Sequence, residues 1–286
     1  MIVLSNGHSF EYMAASGALS FDGQGWLWER PLKWLRLLES SLFTVVIKSL
    51  TFKPRQGNLR WYNPLGCIRF IPDGTLNAVG LTNPGIEWWC RAIGPRIDSS
   101  RLPLVGSIFG EIEELIEMAR MLNNFDLVAL EINASCPNTA DDILTNTPKI
   151  VESCRAVRPI SRFPIILKLS VVHDIESIVP AVQDMVEAFA INSVPWRVIF
   201  PKLSSPLEHL GGGGVSGKIA QPFTWGLVEK LCRMSRIPVI GPSVWEYEDI
   251  ARLRKLGARA ISFGAIFLRY PWRPTLLVRK DQRERR

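Results

Sequence analysis

Short, almost wholly apolar runs recur along this chain, and longer stretches with helical spacing lie between them. Tyr12–Ala15, Phe43–Lys48, Leu104–Ile108, Leu127–Ile132, Ile165–Leu169, Ala188–Asn192, Val239–Gly241 and Ala260–Phe263 read as eight strands. Most are too apolar to have one face in water, as expected of parallel strands covered on both sides. Between them, Ile112, Leu115, Ile116, Ala119 and Leu122 form the apolar stripe of a helix over Glu111–Asn123. Thr147 before Pro148 reads as an N-cap for a helix running to Val157, and Asp174 as the cap of a helix over 175–189. A helix over Glu246–Leu256 stops at Gly257, the residue type that ends helices in a left-handed turn.

Strand–helix alternation repeated eight times predicts a (β/α)8 TIM barrel in the α/β class. An open doubly wound sheet is the alternative, but no GxGxxG follows the first strand. The 286 residues suit one barrel domain, and 47% hydrophobic residues supply its core. No repeat or low-complexity linker divides the chain, so a single domain over 1–286 is expected, ending in a basic C-terminal tail.

Charge and cysteine content narrow the classes. The net charge is +7, and much of the excess falls after Arg269, in Arg273, Arg279, Lys280, Arg283, Arg285 and Arg286. This pattern reads as a solvated end with no nucleic-acid role, because no aromatic–basic repeat accompanies it. A positive field also suits an anionic substrate or a phosphate-bearing cofactor. Five scattered cysteines, odd in number and without a CxxC, read as reduced thiols in a cytoplasmic protein. Three histidines without ligand spacing argue against a bound metal. No apolar run is long enough to span a membrane, and the first seven residues do not read as a signal peptide.

Chemistry in a barrel belongs at the C-terminal strand ends, and the polar residues fall there. The first strand leads into Ala15-Ser16-Gly17 and the second into Lys48-Ser49; the third carries Ser107, the fifth Lys168, and the sixth leads into Asn192-Ser193. The fourth runs into Glu131-Ile132-Asn133-Ala134-Ser135-Cys136-Pro137-Asn138. A cysteine among hydrogen-bonding side chains at a strand end suits proton transfer to a polar substrate. Two lysines at one barrel mouth need an anion between them. The long connection after the second strand carries Gly74-Thr75-Leu76-Asn77-Ala78-Val79-Gly80-Leu81-Thr82-Asn83-Pro84-Gly85. The run Gly211-Gly212-Gly213-Gly214-Val215-Ser216-Gly217 would let backbone approach a phosphate or ring closely.

From about Glu11 to Phe267 these segments resemble the dihydroorotate dehydrogenase family, FMN-dependent TIM barrels of pyrimidine biosynthesis. The most specific parts are the Asn77–Gly85 block, the Glu131–Asn138 block, the Lys168 strand and Gly213–Gly217. A cysteine at the base position is similar to the soluble class of that family. The Asn77–Gly85 block looks most like the subgroup served by a separate flavin and iron–sulfur electron-transfer subunit.

The resemblance implies that Cys136 removes the C5 proton of dihydroorotate while C6 gives a hydride to flavin N5. Asn77, Asn133, Asn138 and Asn192, with Ser193 and the backbone of Gly80 and Leu81, would hold the substrate. Lys48 and Lys168 would lie by the flavin, Lys168 stabilising its anionic reduced ring. Ala15, Ser16, Gly17, Ser49, Ser107, Asn133, Gly214, Ser216 and Gly217 would line the cofactor, with Gly241, Ser243, Gly264 and Ala265 toward its phosphate. A homodimer binding dihydroorotate and orotate is implied. The chain departs from the family at two phosphate turns. Gly241-Pro242-Ser243-Val244 stands where a Gly-Gly turn is usual, and Gly264-Ala265 where Gly-Thr is usual. Val244 resists a left-handed turn, and the C-terminal helix looks short and broken by Pro271 and Pro274. A dihydropyrimidine dehydrogenase-like reductase shares the Ser-Cys-Pro segment but not Asn138 or the Asn77–Gly85 block. A barrel that has lost flavin is the non-catalytic alternative.

Overall fold

Eight parallel strands form one sheet: β1 (Tyr12–Ala14), β2 (Thr44–Val46), β3 (Leu104–Ile108), β4 (Ala129–Asn133), β5 (Ile165–Leu169), β6 (Ala188–Ile191), β7 (Ile240–Gly241) and β8 (Ala260–Phe263). Their order is β6-β5-β4-β3-β2-β1-β8-β7, and a parallel bridge between Phe189 and Val239 closes the ring. The structure, a computed structural model, describes residues 1–60, 62–134 and 146–285. The fold is the (β/α)8 barrel that the alternation predicts, and all eight expected strands are present.

Period-two alternation decides which residues enter the barrel. Met13, Val46, Val105, Ala129, Ile166, Ala188, Ile240 and Ala260, one from each strand, share an interior cluster with Ile2, Leu4 and Phe10. The last three belong to the hairpin Ile2–Val3/Ser9–Phe10, which plugs one end of the barrel. Strand residues of the opposite parity, such as Val45, Leu104, Leu130, Leu167 and Phe263, pack in the other core cluster with the surrounding helices.

The same parity carries polar groups to the other end. Two residues beyond Val105 lies Ser107, beyond Ala129 lie Glu131 and Asn133, and beyond Ile166 lies Lys168. All four polar side chains are buried.

A four-stranded antiparallel plate lies beside that mouth, in the order Val194–Pro195, Gly214–Gly217, Gly74–Asn77, Ile68–Ile71. Gly211, Gly212 and Gly213 all have left-handed backbone, at φ of 88°, 85° and 86°. At Gly213 a Cβ would lie 2.7 Å from the Asn77 carbonyl oxygen. The glycine run therefore lets one plate strand lie against the next.

Several boundaries differ from expectation. Asn146, not Thr147, caps the helix Thr147–Val157, its side chain accepting from the Lys149 amide at 3.2 Å. The helix capped by Asp174 ends at Val182, because Glu187 N already bonds Ile165 O and residues 188–191 are committed to β6.

The basic C-terminus is not a free end. Arg273–Glu284 is a twelve-residue helix, and Pro274 sits in its first turn, where a missing N–H costs nothing. Its charges are paired back to the body: Arg279 with Glu39, Asp281 with Arg254, and Arg285 with Glu11. Buried Asp281 also accepts from the Tyr12 hydroxyl, which anchors the helix to the first residue of β1. No helix among the described residues is long and apolar enough to cross a membrane.

Candidate active site

The barrel mouth and the plate enclose a cavity of about 520 Å³, within the range of ligand sites. Of the residues expected to bind cofactor or substrate, it gathers Ala15, Ser16, Gly17, Lys48, Ser49, Asn77, Gly80, Leu81, Asn133, Lys168, Asn192, Ser193, Ser216, Gly217, Ser243, Gly264 and Ala265. These come from seven of the eight strand ends and from the plate. Cys136 and Asn138 lie outside the described residues.

Three expected residues stand off the cavity wall. Ser107 is wholly buried beneath it, holding its neighbours. Gly214 is spent on the plate, where its strand pairs Asn77. Gly241 is the close-packing point of β7, where a Cβ would lie 2.8 Å from Leu253 of the following helix.

Beneath the cavity runs a chain of hydrogen bonds joining β2, β3, β4 and β5. Lys168 Nζ lies 3.2 Å from Glu131 Oε1, both side chains buried. Ser107 Oγ donates to the same oxygen at 2.8 Å. Its proton is thereby committed, so the 2.8 Å contact between Ser49 Oγ and Ser107 Oγ has Ser49 as donor. Ser49 Oγ in turn accepts from Asn133 Nδ2 at 2.9 Å. The network orients Asn133 and holds the Lys168 ammonium at the wall. Glu131 was not among the expected site residues, although it opens the segment that carries Asn133. It supplies the anion that a lysine at the barrel mouth requires.

The Gly74–Gly85 segment is pinned from within. Asn83 Nδ2 donates to Leu81 O at 2.7 Å and to Thr51 Oγ1 at 2.9 Å, and Asn83 Oδ1 accepts from Gly85 N at 2.9 Å. This holds Leu81 in an uncommon left-handed conformation, φ 57°, beside Gly80 at φ 67°. Asn58 Nδ2 donates to Ala78 O at 2.8 Å from the opposite side.

At the far end, the turn after β7 places Ser243, not Val244, in the left-handed region at φ 64°. Val244 is instead a buried apolar residue. The Ser243 hydroxyl is held by Thr224 Oγ1 at 3.1 Å, and its carbonyl accepts from Gln221 Nε2 at 3.0 Å. One residue thus keeps the backbone that a glycine would adopt there, with the side chain tied back into the fold.

A further wall comes from Trp26, Trp28 and Glu29, which the strand-end pattern did not single out. Trp26 and Trp28 stack with ring centroids 5.2 Å apart, and both line the cavity. Glu29 lies beside them, 2% exposed, its Oε2 accepting from Trp26 N at 2.7 Å. Burial pushes its carboxyl up to about 7, opposed in part by the Trp26 amide.

Whether these residues fit an elongated flavin phosphate can be judged from the wall itself. It holds lysines and amide side chains at one part and a left-handed serine turn at another. Polar groups set at intervals along an otherwise apolar cavity suit a long ligand of mixed polarity.

Fold and site together define a (β/α)8-barrel enzyme with its ligand cavity at the C-terminal strand ends. The dihydroorotate dehydrogenase family profile matches residues 16–267. A protein of Desulforudis audaxviator named dihydroorotate dehydrogenase B (NAD(+)), catalytic subunit, is 35% identical over 243 residues, covering 81% of this chain and 77% of its own. Proteins of the same name from Anoxybacillus flavithermus and Bacteroides fragilis are 29% and 30% identical, covering 79% and 77% of this chain and 73% and 74% of theirs. The chain belongs to the dihydroorotate dehydrogenase family, a family of oxidoreductases.

Proposed function

We propose that this chain oxidises (S)-dihydroorotate to orotate in pyrimidine biosynthesis, as the catalytic member of an assembly with an electron-transfer subunit. The observation that carries this reading is the meeting of Asn77, Asn133, Asn192 and Lys168, from four separate segments, on one cavity. Amide side chains donate and accept together, which suits the alternating N–H and C=O groups of a dihydropyrimidine ring. The names of the relatives add the partner: each is a catalytic subunit of an NAD(+)-linked enzyme.

FMN in the cavity would accept the hydride from C6 at its N5. Cys136 is the base in this reading and takes the C5 proton. Asn77, Asn133, Asn138 and Asn192 hold the ring and its carboxylate, with Ser193 and the Gly80–Leu81 backbone beside them. Lys168, and Lys48 on the neighbouring wall, bring positive charge to where negative charge develops during reduction. Glu131 limits that charge and keeps the ammonium oriented. Ser243 and the Gly264–Ala265 turn serve the phosphate end, and a homodimer is the assembly unit.

Anaerobic mixing with dihydroorotate tests the reading. Purified protein carrying FMN should be yellow and should bleach on addition of dihydroorotate, with orotate formed in equal amount. A yellow protein that stays oxidised with dihydroorotate overturns the substrate assignment; a colourless protein that takes up no FMN overturns the cofactor.

A further inference from the structure

Between β1 and β2, residues 26–37 read Trp-Leu-Trp-Glu-Arg-Pro-Leu-Lys-Trp-Leu-Arg-Leu. They fold as a 3-10 turn over Leu27–Glu29 and a short helix over Arg30–Trp34. One side of the segment is tied to the barrel: Leu32 packs against the core, Leu38 just beyond is buried, and Lys33 Nζ donates to Gln24 O at 3.0 Å. The other side is uncovered. Leu27 is 70% exposed, Trp28 59%, Trp34 85% and Leu35 68%. Large apolar side chains exposed singly are ordinary, but a group of four along one short segment marks an interaction site. Arg30 and Arg36 are exposed beside them and make no ion pair among the described residues. Arg155 and Arg233, elsewhere on the surface, are each paired with a glutamate on their own helix. Glu29, the acidic residue of the segment, is turned inward and buried. Apolar side chains and unpaired cations thus face outward together, with no carboxylate among them.

We propose that residues 27–36 are a surface anchor for anionic phospholipid. Trp28 also lines the cavity, so the anchor seats the cavity mouth against the bilayer. A stable protein interface draws about 800 Å² per partner from some 20–30 residues, whereas this patch is one short segment. Tryptophan and leucine entering the boundary between headgroups and acyl chains, with arginines left at the phosphates, are the pattern of an interfacial anchor. The net charge of +7 adds attraction toward an anionic surface. Such an anchor needs no helix that crosses the membrane.

The full chain is sedimented with vesicles of phosphatidylcholine alone and of phosphatidylcholine mixed with phosphatidylglycerol. Wild type should pellet with the mixed vesicles, less so as salt is raised, and stay largely in solution with phosphatidylcholine alone. Trp34→Ser with Leu35→Ser should weaken binding by about tenfold or more, and Arg30→Gln with Arg36→Asn by about thirtyfold. Asparagine tolerates the left-handed backbone of Arg36, φ 55°. All four residues are exposed and stand off the cavity wall, so both variants should melt at the wild-type temperature. Arg101→Gln with Arg120→Gln removes the same charge from other exposed sites and should change binding little. Wild type that stays in solution with both kinds of vesicle overturns the proposal. So does full binding by the Trp34 and Leu35 variant, or an equal loss in the Arg101 and Arg120 variant, which would leave only general charge attraction. A dimer seen by sedimentation velocity and lost in the Trp34 and Leu35 variant, without vesicle binding, would give the patch to a second copy. Co-purification with an electron-transfer subunit, lost in the same variant and again without vesicle binding, would give it to a protein partner. Either result overturns the proposal.

Discussion

Lys168 and Glu131 form a buried ion pair across the adjacent strands β5 and β4, Nζ to Oε1 3.2 Å, at the floor of the cavity. The carboxylate oxygen is shared with Ser107, so the pair is hydrogen-bonded as well as charge-balanced. Pairs of this kind seldom add stability over an apolar substitute, but removing one partner leaves a buried charge without compensation.

Lys168→Ala should therefore act in two ways. It removes a cation from the cavity wall, so the bound flavin should become harder to reduce, read as a lower midpoint potential in a redox titration. It also strands Glu131, at a stability cost of about 3–5 kcal/mol. The double change Lys168→Met with Glu131→Gln should recover most of the stability but not the potential. An unchanged potential at full FMN occupancy would remove Lys168 from the flavin.

Cys136→Ala should retain FMN and lose dihydroorotate oxidation by about 10²–10⁴-fold, the usual range for a general base. Cys136→Ser should keep a fraction of activity that rises with pH, since a hydroxyl gives up its proton far less readily than a thiol and is scarcely ionised near neutral pH. Stopped-flow bleaching under anaerobic conditions measures both. Bleaching of Cys136→Ala at the wild-type rate would place the base elsewhere.

Glu29 should make stability fall with pH. Burial raises its folded value to about 7, whereas an unfolded glutamate titrates near 4.3. Between those values the folded state holds a proton that the unfolded state has lost, so stability declines as pH rises through this window and then levels off. Glu29→Gln removes that loss. Its melting temperature relative to wild type should be higher at pH 8 than at pH 5. A difference independent of pH would show that Glu29 is ionised in the fold.

The turn at Ser243 should prefer glycine to alanine. Its left-handed backbone, φ 64°, strains any residue with a Cβ, while its hydroxyl gains the contact with Thr224. Ser243→Ala keeps the strain and loses the contact; Ser243→Gly loses the contact but relieves the strain. Melting temperatures should place alanine below both wild type and glycine. Val244→Gly should cost more than either, because it empties a buried apolar site.

The sequence by itself determined the barrel and the placement of its chemistry. Strand alternation is local, so the parity that buries Val105, Ala129 and Ile166 inside the barrel also delivers Ser107, Glu131 and Lys168 toward its mouth. Lys48, Asn133 and Asn192, at barrel strand ends, were legible as mouth residues for the same reason, and the family resemblance pointed to Asn77; all four line the cavity.

Tertiary structure decided what depends on register and on long-range partners. That Glu131 is the counter-charge of Lys168 follows from the pairing of β4 with β5, which join residues 37 positions apart. The two lysines at the mouth required only an anion between them, and the sequence did not single out Glu131. The left-handed residue of the β7 turn is Ser243 because Thr224 and Gln221, on a helix about 20 residues earlier, hold it. The basic C-terminus read as solvated because charge alone suggests water. Glu11, Glu39 and Arg254, from distant parts of the chain, fold Arg273–Glu284 onto the barrel as a helix.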